Sequence, residues 1–301
     1  MSIPTLALDI GGTKIAAGVV DDDGVLLSTH TEPTPARGDA DEVWAVVERV
    51  ISTALSGVTD VRGVGIASAG PVHLPTGTVS PINIRSWSDF PLRDRVSDLL
   101  PGLPVRLGGD GVCMALGEHW RGAGQGTSYL LGIVISTGVG GGLVLDGKPY
   151  GGRTGNAGHV GHVLVEPGGP LCSCGARGCV EAIAGGPRMV QWARDLGWAA
   201  PARAGAKELA AAARAGEPVA LNAFRRSADA VAAMIASVGA VCDLELAVVG
   251  GGVAAAGAVL FDPLREALAR YAHLDFIAGM QVVPAVLGGD AGLNGAAGLL
   301  R

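Results

Sequence analysis

Apolar positions along this chain come in short runs that stop at glycine. Thr5–Asp9 is β-like and closes on Gly11-Gly12, and Lys14–Val20 is a second run. The turn Asp21-Asp22-Asp23-Gly24 follows, and Val25–Thr29 resumes the strand pattern. Across Asp41–Leu55 the period changes. Val43, Val46, Val47, Val50, Ile51 and Ala54 predict an amphipathic helix that ends at Gly57. Val61–Ala67 and Val105–Leu107 read as further strands, and a helix is predicted from Asp110 to about Trp120.

A similar arrangement then recurs. Tyr129–Ile135 is apolar, Ser136–Gly142 is a hydroxyl- and glycine-rich turn, and Leu143–Leu145 leads into Asp146-Gly147. This echo of residues 5–24 predicts two related α/β halves, each lending one loop to a shared cleft. A chance likeness of two hairpins is the alternative. Ala204–Cys242 is alanine-rich and helical in pattern, with breaks at Gly205 and Gly216. Leu244–Val249 runs into Gly250-Gly251-Gly252, and Gln281–Val286 is the last strand-like run. No low-complexity linker divides the chain.

Composition sharpens this picture in three ways. With 301 residues, 49% of them hydrophobic, the chain can bury two substantial cores. A net charge of −6 argues against a general nucleic-acid binder, which wants a basic face for phosphates, but leaves nucleotide binding open. Glycine is the outlier: 49 residues, more than double the roughly 7% of ordinary proteins, with no collagen period. The longest uncharged stretch, Gly122–Leu145, is too broken by polar residues and glycine to span a membrane. Met1–Pro4 runs straight into a strand-like segment with no leader pattern, so the expected compartment is the cytoplasm. Five cysteines, three of them between 172 and 179, favour a metal over disulfides there.

Candidate chemistry clusters at the ends of the runs. In Asp9-Ile10-Gly11-Gly12-Thr13-Lys14 the glycines free backbone N–H groups to face phosphate. Thr13 adds a hydroxyl, Lys14 a cation, and Asp9 could hold magnesium through water. An ordinary Gly-Gly hairpin turn is the competing reading, and the Walker spacing is absent. Ser136, Thr137, Gly138 and Gly140 form a second turn of this kind, and Gly250, Gly251 and Gly252 a third. Cys172, Cys174 and Cys179 can converge on one soft cation, with His162 the economical fourth ligand of a structural zinc site and three buried cysteines without a metal as the alternative. Asp110, after Gly108-Gly109 at a strand end, is a candidate proton acceptor, with a helix N-cap as its alternative. Glu181 is oriented by the cysteine loop or is a first-turn helix carboxylate.

Taken together these segments resemble the ROK (repressor, open reading frame, kinase) family of sugar kinases and regulators. The likeness rests on DIGGTK at 9–14, STGVGGG at 136–142, GHVGH at 158–162, CSCGARGCVEA at 172–182 and VVGGGV at 248–253. It implies a hexokinase-type fold of two actin-like, ribonuclease H-like α/β domains. Residues 1–112, completed by a helix at 291–301, would form one domain, and 113–290, with the zinc motif, the other. It further implies that Asp110 is the catalytic base and that the glycine turns bind ATP with Mg2+. Asn83, Gly109, His159, His162 and Glu181 would join Asp110 around the sugar. The resemblance implies a homo-oligomer, a dimer or tetramer, while the acidic balance and the lack of a spanning stretch lead to the expectation of no nucleic-acid or membrane partner. Two departures stand out: Gly109-Asp110 replaces the family's Asn-Asp, and His159 replaces the glutamate of Glu-x-Gly-His. The Gly-His-x-Gly-His form resembles bacterial N-acetylmannosamine kinases, which makes N-acetylmannosamine the expected sugar and glucose the second choice. A sugar-binding pseudokinase and a regulator are the non-enzymatic alternatives.

Overall fold

Strands β1 (Thr5–Ile10) and β2 (Lys14–Val20) pair antiparallel from Thr5↔Val20 to Ile10↔Ile15, so the first glycine turn caps a tight hairpin. The structure is a computed structural model that describes residues 3–301. Strand β3 (Leu26–Pro33) extends the hairpin, and helix α1 (Ala40–Ala54) follows with the predicted apolar face buried. Asp39 caps α1, accepting from the N–H groups of Asp41 and Glu42 while Glu42 returns a bond to the Asp39 N–H. Strand β4 (Val64–Ser68) lies parallel to β1, then a small hairpin of β5 (Val72–His73) and β6 (Thr78–Val79) leads to α2 (Leu92–Leu99). Strand β7 (Val105–Gly109) lies parallel to β4 and runs directly into α3 (Asp110–Arg121).

The second half repeats the plan. Strands β8 (Leu130–Ile135), β9 (Val139–Leu145) and β10 (Lys148–Tyr150) form an antiparallel meander. After the cysteine loop come α4 (Val180–Ala184), α5 (Gly186–Asp195), α6 (Ala206–Arg214) and the long α7 (Pro218–Cys242). Strand β11 (Leu246–Gly250) pairs parallel with β8, α8 (Ala258–Tyr271) follows, and β12 (Gln281–Pro284) pairs parallel with β11. The chain ends in α9 (Ala291–Gly298). The two five-stranded sheets run β3-β2-β1-β4-β7 and β10-β9-β8-β11-β12. Counted among the strands of each five-stranded sheet, the order is the same: third, second, first, fourth, fifth. The echo between residues 5–24 and 129–147 is therefore a duplicated fold.

Strand β1 shows how each sheet is covered on both faces. Leu6, Leu8 and Ile10 pack with the apolar face of α1, while Ala7 packs with Leu293, Ala296 and Ala297 of α9. Small residues on the α9 side let that helix sit almost on the strands. A β-carbon at Gly65 would overlap the Ala296 carbonyl. The same device recurs where α3 meets its neighbours: Gly117 lies on the Ala291 carbonyl, Gly295 on the Cys113 carbonyl, and Gly132 on Ala115. Part of the glycine excess thus serves close approach of α3 and α9 to each other and to the strands beside them, and 17 further glycines adopt positive φ. Helix α3 packs on both α9 and the β8–β9 hairpin, so the catalytic candidate Asp110 opens a helix wedged between the two sheets.

Candidate active site

Three parallel strand ends set the stage. Asp9, next to last in β1, lies opposite Ala67, and Gly109 ends β7 opposite Ser68, so Asp9 and Asp110 flank the carboxyl edge of β4. That edge is where open α/β sheets bind ligands. Burial lifts the Asp9 carboxyl to about 6; Lys14 pulls it down and the negative Asp110 adds to the rise. Asp110 keeps solvent access, yet the protein around it strips enough water to raise its carboxyl above the usual range. The Gly111 N–H, 2.7 Å from Oδ1, and His159 hold it down. Access combined with desolvation is the condition of a cleft wall. Asp110 is the first helical residue and bonds only the next N–H, so it does not serve as the N-cap.

The glycine turns converge on this pair. Gly11 N–H donates to the Lys14 carbonyl at 3.0 Å, and Lys14 is exposed. Thr13 lies between them, exposed, its carbonyl accepting from the Thr34 N–H. Gly12 is pressed against the β-carbon of Asn83, which brings the Pro81-Ile82-Asn83 loop onto the first turn. Gly111, next to Asp110, is pressed on the Gly141 carbonyl, which brings the second turn alongside. There Ser136 and Thr137 are exposed and Gly140 faces open space. Gly251, at φ +93°, sits on the Ile135 carbonyl, so the turn from Gly250 to Gly252 adjoins the start of Ser136–Gly138. A groove of about 430 Å³ between α8 and β12 is lined by Leu268, Met280 and Val282 and holds none of these residues.

The histidines link the cleft to the cysteine loop. His159 is exposed, its ring edge 3.7 Å from where a β-carbon on Gly70 would lie, and it stacks on His162 with ring centroids 5.8 Å apart. His162 Nδ1 is 3.7 Å from the Cys172 sulfur, and the Cys174 and Cys179 sulfurs are 3.7 Å apart. The four ligand atoms all lie within 4.8 Å of one another. Tetrahedral zinc with bonds of ~2.3 Å to sulfur needs ligand atoms roughly 3.8 Å apart, so this donor set fits zinc. Nδ1 faces the sulfurs, leaving Nε2 for the cleft. Glu181 lies between the second turn and the loop: Oε2 accepts from the Val139 N–H at 3.1 Å and Oε1 from the Ser173 hydroxyl at 3.1 Å. At Gly109 a β-carbon would meet only the Gly155 carbonyl at 3.7 Å, so a side chain would fit where none is present.

Nothing in the sequence pattern singles out the residues that brace these turns. Thr34 donates its hydroxyl to the Gly11 carbonyl at 2.6 Å and its N–H to the Thr13 carbonyl at 3.0 Å. Ser173 holds Glu181. Asn156 accepts from the Val72 N–H at 3.0 Å and donates to the Val72 carbonyl at 2.7 Å, tying the two halves together across the cleft.

The ROK family sequence profile matches residues 5–301. The chain belongs to the ROK family. Its relatives cover it almost end to end. A glucokinase of Thermotoga maritima is 35% identical over 312 residues, 98% of this chain and 96% of that one. An N-acetylmannosamine kinase of Yersinia pseudotuberculosis is 37% identical over 294 residues, 97% and 96% respectively. Among solved structures, a ROK glucokinase of Streptomyces griseus in complex with glucose and AMPPNP superposes with a TM-score of 0.82 at 38% identity, covering 98% of each chain. The duplicated sheets are thus the two-domain hexokinase-type fold of this family. Among the described residues no helix is long and apolar enough to cross a membrane.

Proposed function

We propose that this ROK chain is an ATP-dependent sugar kinase that phosphorylates the 6-hydroxyl of a hexose or N-acylhexosamine, with N-acetylmannosamine the favoured substrate and glucose the second. The observation that carries the reading is the desolvated Asp110 at a strand end, beside Asp9 and within reach of two glycine turns. A raised carboxyl is a stronger base than a free one, which suits it to take a proton from a sugar hydroxyl. As that oxygen forms its bond to the γ-phosphorus, the bond to the β-phosphate oxygen breaks, ADP leaves, and the proton rests on Asp110.

Turns 11–14, 136–140 and 250–252 supply N–H and hydroxyl donors for the phosphates, and Lys14 a fixed cation. Magnesium, held through Asp9, would neutralise charge on the phosphoryl oxygens; two crowded carboxylates of raised pKa are a natural partner for a divalent ion. Zinc held by His162, Cys172, Cys174 and Cys179 would shape the loop, since four protein ligands leave no position for substrate. Asn83, His159, the free Nε2 of His162 and Glu181 are assigned to the sugar. His159 in place of a carboxylate suits an N-acyl substituent better than a bare hydroxyl. We take residues 1–112 with 291–301 as one domain and 113–290 as the other, because α9 lies on the first sheet while α3 leans on the second.

Gly109 favours a second reading, a pseudokinase that binds sugar without turnover, because the amide that the family resemblance leads one to expect there is missing. One assay separates the two. ADP release with magnesium ATP is measured across glucose, mannose, N-acetylmannosamine, N-acetylglucosamine and fructose, for the native chain and Asp110→Ala. Turnover of N-acetylmannosamine that falls by about 10²–10⁴-fold in the variant supports the kinase. Sugar binding by calorimetry with no ADP from any sugar overturns it.

A further inference from the structure

The chain passes between the two halves at two places, and a single side chain fastens those passages together. The first passage is α3, which leaves β7 and delivers the chain to β8; the second is the strap 285–290, which leaves β12 and delivers it to α9. Glu118 of α3 has no solvent exposure. Its Oε1 accepts from the Val286 N–H at 3.0 Å and the Leu287 N–H at 2.9 Å, both on the strap. Oε2 accepts from the Ala123 N–H at 2.9 Å, in the turn that ends α3. A carboxyl group is held in a dry interior only where donors replace its water. Here every donor is backbone, and they come from both passages.

What the strap carries explains why its placement matters. Gly289 lies beside Lys14, whose Nζ would be 3.8 Å from a β-carbon there. Three residues on, Gly292 at the start of α9 is pressed against the Asp9 carboxylate. The helix that Glu118 belongs to begins at Asp110. One end of this linkage therefore holds the proton acceptor and the other backs the Asp9–Lys14 turn.

We infer that Glu118 is a positioning residue, a pin through the hinge that keeps Asp110 in register with Asp9 and Lys14 while the halves close on substrate. The inference rests on the kinase reading for its catalytic consequence, but the pin itself does not. All three partners donate, so glutamine would turn an N–H2 toward a donor, and Glu118→Gln is the direct test. Leu287→Pro is the second: the Leu287 backbone, at φ −79°, accommodates proline, and the change deletes one donor without touching Glu118.

The readouts are steady-state kinetics well below the melting temperature, hydrogen exchange at 285–292 and 9–14, and X-ray scattering with and without sugar. Misplacing reacting groups by about an ångström costs on the order of 100-fold. Glu118→Gln is accordingly expected to lower kcat by about 10–100-fold with sugar KM within about 2-fold, and Leu287→Pro by less. Both should speed exchange in the strap and the Asp9 turn and reduce the sugar-induced compaction. A merely structural glutamate would lower the melting temperature and leave kcat and compaction alone, and that result overturns the inference. If Glu118→Gln does not fold, native kcat and compaction in Leu287→Pro have the same force. If the native chain turns over no sugar, the kinase reading fails by itself. Exchange and scattering then decide the pin: unchanged strap and Asp9-turn exchange in the variants rejects it.

Discussion

Burial raises the Asp9 carboxyl to about 6 and the neighbouring Asp110 adds to the rise, so at neutral pH the fold carries a charge it would shed. The folded value lies above the unfolded one. The proton on Asp9 therefore stabilises the fold fully below about pH 4, and this stabilisation is lost as pH rises through about 6. Holding the charged form at pH 7 costs of order 1–3 kcal/mol. Asp9→Asn should then raise the melting temperature of the metal-free protein at pH 7, gain little at pH 4, and lose turnover. A melting curve at each pH checks this, and no gain at pH 7 counts against it. Such strain persists where function requires it, and it was partly legible beforehand. A lone Asp at a strand end before Gly-Gly is conspicuous, and three cysteines within eight residues are more so. Thr34 and Ser173 were not, because hydroxyls of that kind brace turns everywhere and only the fold reveals which carbonyl or carboxylate they meet.

Elements that carry a stripe or end at a glycine turn were readable even when buried on both faces, as β1, β8 and β11 are, and those with neither mark were not. The stripe of α1 named its helix to within a residue at its N-terminus, and the alternation of runs and glycine turns found β1, β2, β8, β9 and β11. Helix α9, Ala-Gly-Leu-Asn-Gly-Ala-Ala-Gly, has no stripe because the first sheet covers one side and α3 the other; the expected helix at 291–301 ends at Gly298. The two-residue strands β5 and β6 are too short for any period to show. Close approach makes its own prediction. A methyl at Gly111 would overlap the Gly141 backbone, which cannot move aside, whereas one at Gly140 meets nothing within 4 Å. Gly111→Ala should cost about 1–3 kcal/mol in denaturant unfolding and Gly140→Ala nearly nothing, though the latter should raise the KM for ATP. The cysteine loop is an element of a different sort. Chelation should release an equimolar amount of zinc and speed hydrogen exchange at Val139, which Ser173 and Glu181 connect to that loop. Unchanged exchange there would leave the loop and the second glycine turn uncoupled.

For the molecule as a whole, the duplication was legible as an echo and its consequence was not. Matching runs at 5–24 and 129–147 announced two halves, but neither run reveals that α3 and α9 would fill the space between the sheets or that Asn156 would bridge it. Long-range pairs of this kind, 84 residues apart in the chain, leave no local trace. The clasp also separates two ways of moving the halves. Glu118 fastens the hinge, so its loss should misalign the closed state and appear in kcat. Asn156 fastens the mouth, so its loss should make closure less favourable without changing the geometry once closed. Two hydrogen bonds at a net ~1 kcal/mol each correspond to about 30-fold in a closing equilibrium. Asn156→Ala is therefore expected to raise the sugar KM by about 30-fold while saturating sugar restores kcat to within about 2-fold. Steady-state kinetics on that variant decides the matter. A lowered kcat at native KM would mean that Asn156 aligns the reacting groups, and a native KM with native kcat that its bonds to Val72 persist equally in the open and closed forms.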